Sequence, residues 1–319
     1  MGEFELIERF FKRAARQADV GIGDDCAIWT PSPGHQLAIS ADMLVEGRHF
    51  LSTVNPRDLG HKALAVNLSD LAACGASPRA FLLSLSLPRV DEHWLSGFSE
   101  GLFALADAQG CELIGGDTTQ GPLNVSITVM GEVPAHQAIL RSGAQAGDDV
   151  YVSGHLGDAR LALEAFRGTV GLPQSVFELA RSRMERPEPR TALGASLRGV
   201  ATAMADISDG LLGDLGHILK ASRVGADIHI AAIQSLMLTR DAWACPQDLL
   251  QRCVLSGGDD YELVFTCHPS NHQRVMALGE ACGTTVTRMG RITAEPRLHL
   301  LSEDGGVVPN HFTSFDHFA

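Results

Sequence analysis

Apolar runs in this chain end repeatedly in carboxylates. The clusters are Gly23-Asp24-Asp25, Ser40-Ala41-Asp42, Asn67-Leu68-Ser69-Asp70, Gly115-Gly116-Asp117-Thr118-Thr119, Asp206-Ile207-Ser208-Asp209-Gly210 and Ser256-Gly257-Gly258-Asp259-Asp260. Two like charges held near 4 Å repel by about 4 kcal/mol at an effective dielectric of 20. Six such clusters are therefore a poor way to pack a core. Hard cations remove the conflict, and Mg²⁺ characteristically takes oxygens from a few carboxylates plus substrate phosphates.

The 319 residues, 45% of them hydrophobic, suffice for two domains that each bury a core. Periodicity divides them into a block over 1–137 and a block over 138–319. In the first, Leu37 to Ser40 reads as a short buried strand with Asp42 at its end. Asn55-Pro56 opens a helix that carries Asp70, reaches Cys74 and stops at Gly75. Ala80 to Leu87 alternates as a strand with both faces at least partly covered, Glu92 to Gln109 is an amphipathic helix stopped by Gly110, and Cys111 to Ile114 and Leu123 to Val133 are further strands.

The second block follows a connection over Arg141 to Gly147. Asp149 to Val152 reads as a strand, and the Arg-, Glu- and Pro-rich stretch Arg181 to Arg190 as an exposed connection. Thr202 to Asp206 is a strand, with Ser208 or Asp209 capping a helix that ends near Gly225. A second strand-then-acid layout is expected at Cys253 to Asp260, then a strand over Tyr261 to Cys267 and a hairpin turn at Asp304-Gly305-Gly306. The fold class is mixed α/β in two domains.

Charge removes several function classes. A formal net charge of -13 opposes binding to nucleic acid or anionic lipid. Only Lys12, Lys62 and Lys220 are lysines among 25 Lys and Arg, so a phosphate site depends on metal ions, Arg and backbone amides. The seven cysteines include no Cys-x-x-Cys pair and read as reduced, buried thiols of a cytoplasmic protein. No apolar run reaches 18 residues, and MGEFELIERF is acidic, so neither membrane insertion nor secretion is expected. Metal-ligand His and Cys spacing, G-x-S-x-G, the P-loop and the protein-kinase motifs are all missing from the sequence.

Gly21-Ile22-Gly23-Asp24-Asp25 lacks a full G-x-G-x-x-G and reads equally as a solvated turn or a metal loop. Gly115 to Thr119 combines close-approach backbone with a carboxylate and two hydroxyls. Asp206 to Gly210 is the most specific of the six, because amides at a helix start favour anions while aspartates recruit cations. A simple cap needs only one of its three polar residues.

Five ordered motifs carry a resemblance: Gly-Ile-Gly-Asp-Asp-Cys-Ala (21–27), Lys-Ala-Leu-Ala-Val-Asn-Leu-Ser-Asp-Leu-Ala-Ala (62–73), Gly-Gly-Asp-Thr-Thr (115–119), Asp-Ile-Ser-Asp-Gly-Leu (206–211) and Ser-Gly-Gly-Asp-Asp-Tyr-Glu-Leu (256–263). Together with the Phe-Asp-His-Phe tail they resemble the thiamine-monophosphate kinase family, of the superfamily that includes aminoimidazole ribonucleotide synthetase. The resemblance implies ATP-dependent phosphorylation of thiamine monophosphate to thiamine diphosphate, and a homodimer joined through its amino-terminal sheets. It implies Mg²⁺ ligands at Asp25, Ser40, Asp42, Asp70, Asp117, Asp206 and Asp209, with Asp42, Asp117 and Asp209 as catalytic carboxylates. ATP contacts fall on Gly116, Asp117, Arg141 and Ser208, and substrate contacts on His49, Asp259 and Phe315.

The chain departs from the family pattern at three places. Ala41 stands where a threonine ligand is frequent, leaving only its carbonyl; Asp259 stands for the more usual glutamate, and Phe315 for a common tyrosine. Asp24 and Asp260 are expected to be structural neighbours. The rival readings are another ATP-dependent enzyme of the superfamily, or a metal- or nucleotide-binding protein without turnover.

Overall fold

In the computed structural model the described residues are 2–312. They form two compact units, 2–71 with 76–136, and 72–75 with 137–312.

The first unit contains α1 (Glu3–Phe10), β1 (His35–Val45), α2 (Pro56–Ala73, whose last two residues group with the second unit), β2 (Ser77–Leu87), α3 (Glu92–Gln109), β3 (Glu112–Gln120) and β4 (Asn124–Pro134). Its sheet has the order β1-β4-β2-β3, with β2 and β3 parallel and the other pairs antiparallel. Two helix signals act as expected, Asn55 Oδ1 accepting the Arg57 N–H at 2.9 Å and Gly110 ending α3 at φ 62°, while Asp91, which the sequence did not single out, caps α3 by accepting from His93 and Trp94.

Period-two alternation gives the sheet one buried face, with Phe81, Leu83 and Leu85 on β2 and Val125, Ile127 and Val129 on β4. On the other face of β2 Ala80 is buried, Leu82 and Ser86 are half-buried and Ser84 is exposed, so both faces of the strand are at least partly covered, as expected.

Both acidic motifs of this sheet lie within strands. β1 continues to Val45, which places Asp42 inside it, and β3 runs from Glu112 through the Gly-Gly-Asp-Thr-Thr motif to Gln120. Ladder pairing with β4 and β2 outweighs the weak strand propensity of Gly and Asp.

The second unit contains β5 (Asp149–Ser153), α4 (Asp158–Phe166), α5 (Gln174–Glu185), α6 (Thr191–Ser196), β6 (Ala203–Ile207), α7 (Leu211–Ser222), β7 (Gly225–His229), α8 (Gln247–Ser256), β8 (Glu262–Cys267), α9 (His272–Ala281), β9 (Val286–Thr293), β10 (Leu298–Leu301) and β11 (Val307–Val308). Its mixed sheet has the order β11-β10-β7-β9-β5-β8-β6. Every residue of β5, β6 and β8 is buried, with Val150, Val152, Ala205 and Val264 packed on one side and Tyr151, Met204 and Phe265 on the other. The hairpin turn before β11 falls where Asp304-Gly305-Gly306 placed it.

Three local expectations are corrected. Residues 253–256 belong to α8, so the second strand-then-acid layout is helix-then-acid. Arg181 lies in α5 and Arg190 is largely buried, because both Arg183 and Arg190 pair with Glu262, at 3.1 and 2.6 Å. Glu262 is 1% exposed. Removing one partner of such a buried pair costs about 3–5 kcal/mol, so this charge-rich stretch is an anchor. Of the cysteines, Cys26 is exposed and Cys74, Cys245 and Cys282 are partly exposed, leaving only Cys111, Cys253 and Cys267 buried; all seven are free thiols.

Candidate active site

In the amino-terminal unit, alternation along β1 turns Ser40 and Asp42 to the same face, where α2 lies. Asn67 and Asp70, three residues apart, share one side of that helix. The Ser40 hydroxyl donates to Asp70 Oδ2 at 2.5 Å. Asn67 Oδ1 accepts the Asp42 N–H at 2.9 Å while its Nδ2 donates to the Ala63 carbonyl. The result is a fixed set of hard oxygens from Ser40, Asp42 and Asp70, all partly exposed.

His49 lies in the turn after β1, and its Nδ1 accepts the Val45 N–H at 3.0 Å, so the neutral ring carries its proton on Nε2. Asp25 is exposed in its loop, and its N–H donates to Asp24 Oδ1, which gives Asp24 the structural part expected of it. Asp117 is not with the β1 set. It is exposed on β3, at the opposite edge of the sheet.

In the carboxy-terminal unit, β6 delivers Asp206, 5% exposed, to a loop over Ser208 to Gly210 before α7. Neither Ser208 nor Asp209 caps the helix. The side chain of Asp214, in the first turn of α7, accepts the N–H groups of Ser208 and Asp209 at 3.0 and 3.1 Å. That leaves the Ser208 and Asp209 side chains for other work, and both are partly exposed. Burial pushes the Asp214 carboxyl up to about 7, the Asp209 charge adds to this, and the two N–H donors and the nearby Arg141 charge oppose it. Nothing singled Asp214 out in sequence, although an aspartate one turn into a helix that follows an acidic loop is a usable signal.

The loop over Ser256 to Tyr261 locks onto the loop after β6. Asp259 N–H donates to the Ser208 carbonyl at 2.8 Å and Tyr261 N–H to the Ile207 carbonyl at 2.9 Å. Asp259 and Tyr261 hold positive φ, 64° and 52°, an uncommon backbone state for residues with side chains. Gly210 and Gly258 permit the approach: a Cβ on Gly210 would meet the Ser256 carbonyl carbon at 2.8 Å, and one on Gly258 the Ser208 oxygen at 2.6 Å. Asp259 thus stands beside Ser208 and Asp209. Arg141 is exposed, and its carbonyl accepts the Ser222 hydroxyl at 3.3 Å. Phe315 lies outside the described residues.

Asp260 has a structural part, since its carboxyl accepts the Gly157 N–H at 3.0 Å before α4. Burial raises it well above its ordinary 3.8, an effect the Gly157 bond opposes. Such a carboxyl is protonated in the fold but ionised in the unfolded chain above about pH 4. Its stabilisation is complete below that pH and is lost as the pH rises toward the folded value. Wild type should therefore hold its largest stability advantage over Asp260→Asn near about pH 4, shrinking as the pH rises from there, in urea denaturation midpoints. An advantage that grows with pH contradicts this.

Among the described residues no three His, Cys, Asp or Glu side chains form a metal cage. The pairing of Asp42 and Asp70 with a serine hydroxyl nevertheless fits Mg²⁺, which needs few protein carboxylates when phosphates complete its shell. A cavity of about 720 Å³ along α7, lined by Leu212, Gly216, Lys220, Arg223 and Arg297, contains none of the candidate residues.

The two mixed α/β units are those of an AIR synthase related protein. Residues 23–133 match the AIR synthase related protein N-terminal domain and 145–302 its C-terminal domain. The chain belongs to the thiamine-monophosphate kinase family. It is 44% identical to thiamine-monophosphate kinase of Escherichia coli (strain K12) and 43% identical to that of Salmonella typhimurium (strain LT2), in each case over 100% of this chain and 98% of the relative. The crystal structure of thiamine-monophosphate kinase from Stenotrophomonas maltophilia K279a superposes with a TM-score of 0.84 at 43% identity, covering 92% of both chains. The structure of AaThiL complexed with AMPPCP and TMP superposes with a TM-score of 0.75 at 28% identity, covering 91% of this chain and 89% of that one. Among the described residues no helix is long and apolar enough to cross a membrane.

Proposed function

We propose that the chain transfers the γ-phosphoryl group of ATP directly to the phosphate of thiamine monophosphate, giving thiamine diphosphate and ADP. The observation that carries this is full-length identity of 43–44% to thiamine-monophosphate kinases, with motif residues held by hydrogen bonds between β1 and α2 and in the loop after β6. An oxygen of the acceptor phosphate attacks the γ-phosphorus while its bond to the β,γ-bridging oxygen breaks. The acceptor oxygen is already ionised near neutral pH, a phosphate monoester having its second pKa near about 6, so no side-chain base is required.

Phosphoryl transfer asks the protein chiefly for positioning and charge stabilisation. Mg²⁺, when bound, neutralises the phosphate oxygens. Asp25, Ser40, Asp42, Asp70 and Asp117 would hold Mg²⁺ ions in the amino-terminal unit, and Asp206 and Asp209 would do so in the carboxy-terminal unit. Gly116, Asp117, Ser208 and Arg141 bind ATP, and a guanidinium suits a phosphate geometrically. His49, Asp259 and Phe315 bind the substrate, the last two matched by charge and by aromatic face to the thiazolium cation. The reading includes a homodimer and a cytoplasmic setting.

Incubation with ATP, Mg²⁺ and thiamine monophosphate should yield thiamine diphosphate with one ADP per product. Product with a different acceptor only, or nucleotide binding without any turnover, overturns the assignment. A phosphorylated side chain trapped during turnover overturns direct transfer.

A further inference from the structure

Ser222, the last residue of α7, commits its hydroxyl to the segment that carries Arg141. Its Oγ accepts the Gly143 and Ala144 N–H groups, both at 3.1 Å, and donates to the Arg141 carbonyl at 3.3 Å. A serine hydroxyl has one proton to give and two lone pairs, so these three bonds use all of it. None of them goes back to α7, although a serine in a helix can bond the carbonyl one turn before it.

The same segment is held on its other side by β6. The Leu140 carbonyl accepts the Met204 N–H at 3.0 Å, and a Cβ on Gly143, at φ 125°, would run into the Thr202 carbonyl oxygen. The backbone at Arg141 is therefore fixed by a strand contact one residue before it and by Ser222 at and after it. Its side chain is exposed, and its charge is felt by Asp214 in the first turn of the same helix.

Asp214 and Ser222 are eight residues apart on α7, about 12 Å along its axis. One end of the helix holds the N–H groups of Ser208 and Asp209, and the other holds the backbone at Arg141. A single rigid element thus sets the spacing between a hydroxyl, a carboxylate and a guanidinium that are all read above as contacts of ATP or its metal.

We infer that Ser222 is a positioning residue for ATP binding: its hydroxyl fixes the backbone at Arg141 so that the guanidinium is held toward the loop after β6, where the phosphates lie. This rests on the reading of Arg141 as an ATP contact, and it adds a residue that lies outside all five sequence motifs.

Calorimetric titration with Mg²⁺ and a non-hydrolysable ATP analogue tests it on wild type, Ser222→Ala, Arg141→Ala and the double variant. Arg141→Ala should weaken binding about 100-fold, the scale of a lost hydrogen bond to a charged group, and Ser222→Ala, which leaves the guanidinium present but loosely held, about 10-fold. The double variant should bind no worse than Arg141→Ala, because nothing is left to position. Ser222→Thr keeps the hydroxyl and should restore binding to within about 3-fold of wild type. In turnover, KM for ATP should carry the Ser222→Ala loss while kcat at saturating ATP and KM for thiamine monophosphate do not, the pattern of lost uniform binding. A serine that only ends the helix predicts the opposite, since alanine is the better helix former. Wild-type affinity in Ser222→Ala overturns the inference, and so does a 10-fold loss that repeats in full on the Arg141→Ala background, or a loss shared by both substrates and the urea midpoint. Arg141→Ala that binds the analogue as wild type does removes Arg141 from the ATP contacts and the inference with it. Wild type that binds the analogue but fails on thiamine monophosphate defeats the substrate assignment alone.

Discussion

Asp209→Asn should lower phosphoryl transfer by about 10²–10³-fold, the scale seen when one fixed stabiliser of transition-state charge is removed. The substitution keeps the shape of the side chain and the main-chain N–H that Asp214 accepts at 3.1 Å, so the loop after β6 stays in place. It removes a negative charge whose side chain is partly exposed and not committed to capping α7. The loss therefore falls on metal binding and on the rate. Stability should change little, because the Asp209 side chain is partly exposed, does not cap α7, and its charge disfavours ionisation of Asp214. Turnover at saturating ATP, a Mg²⁺ titration and urea midpoints measure the three effects. An unimpaired rate at all Mg²⁺ concentrations removes Asp209 from the metal ligands; a large fall in the urea midpoint makes it structural.

Asp209 also shows how far sequence reasoning reaches. The junction at 206–210 is legible because a short apolar run, three polar residues and a glycine before a helical pattern leave little but a strand-to-helix loop. Its internal support is not legible: Asp214 takes the capping work only because the loop folds back over the first turn of α7, a matter of three-dimensional closeness. The helices α2 and α3 are legible through Asn55-Pro56 and Gly110, since caps act within a turn of themselves. Strand limits are harder. Ser40 and Asp42 read as a strand ending, yet β4 pairs with β1 through to Val45, and on α2 Asp70 accepts the Ser40 hydroxyl and Asn67 the Asp42 main-chain N–H.

Cys253-Val254-Leu255 reads as a strand because a short apolar run cannot be told from one side of a helix by periodicity alone. The chain makes it part of α8, where Leu249, Leu250, Cys253 and Val254 share the buried side. Arg183 and Arg190 look solvated in sequence, because their partner Glu262 is 72 residues or more further along. Long-range charge pairing carries no local mark. The same holds for Asp117: its motif announces phosphate chemistry, but only the strand order reveals that Asp42 is three strands away.

Gly210→Ala is expected to destabilise the carboxy-terminal unit by about 2–4 kcal/mol, from backbone strain of about 1–3 kcal/mol and weakened loop hydrogen bonds of about 1 kcal/mol each. Gly210 holds φ 113° and ψ 146°, closed to residues with a Cβ, and its added methyl would lie 2.8 to 2.9 Å from the Ser256 backbone. Backbone cannot step aside as a side chain tip can. The two loops must part, stretching the bonds from Asp259 to Ser208 and from Tyr261 to Ile207. Ser208 and Asp209 on one loop and Asp259 on the other then lose their mutual placement. Misplacement of about 1 Å is enough for a rate loss of about 10²-fold, so turnover should fall by at least that much even where the protein remains folded. Gly216→Ala supplies the contrast: it lies within α7, meets nothing within 4 Å, and should gain up to about 1 kcal/mol of helix stability. Urea midpoints and kcat for both variants decide the matter, and a Gly210→Ala enzyme as fast as its Gly216→Ala counterpart would show that transfer does not depend on the interlock of these loops.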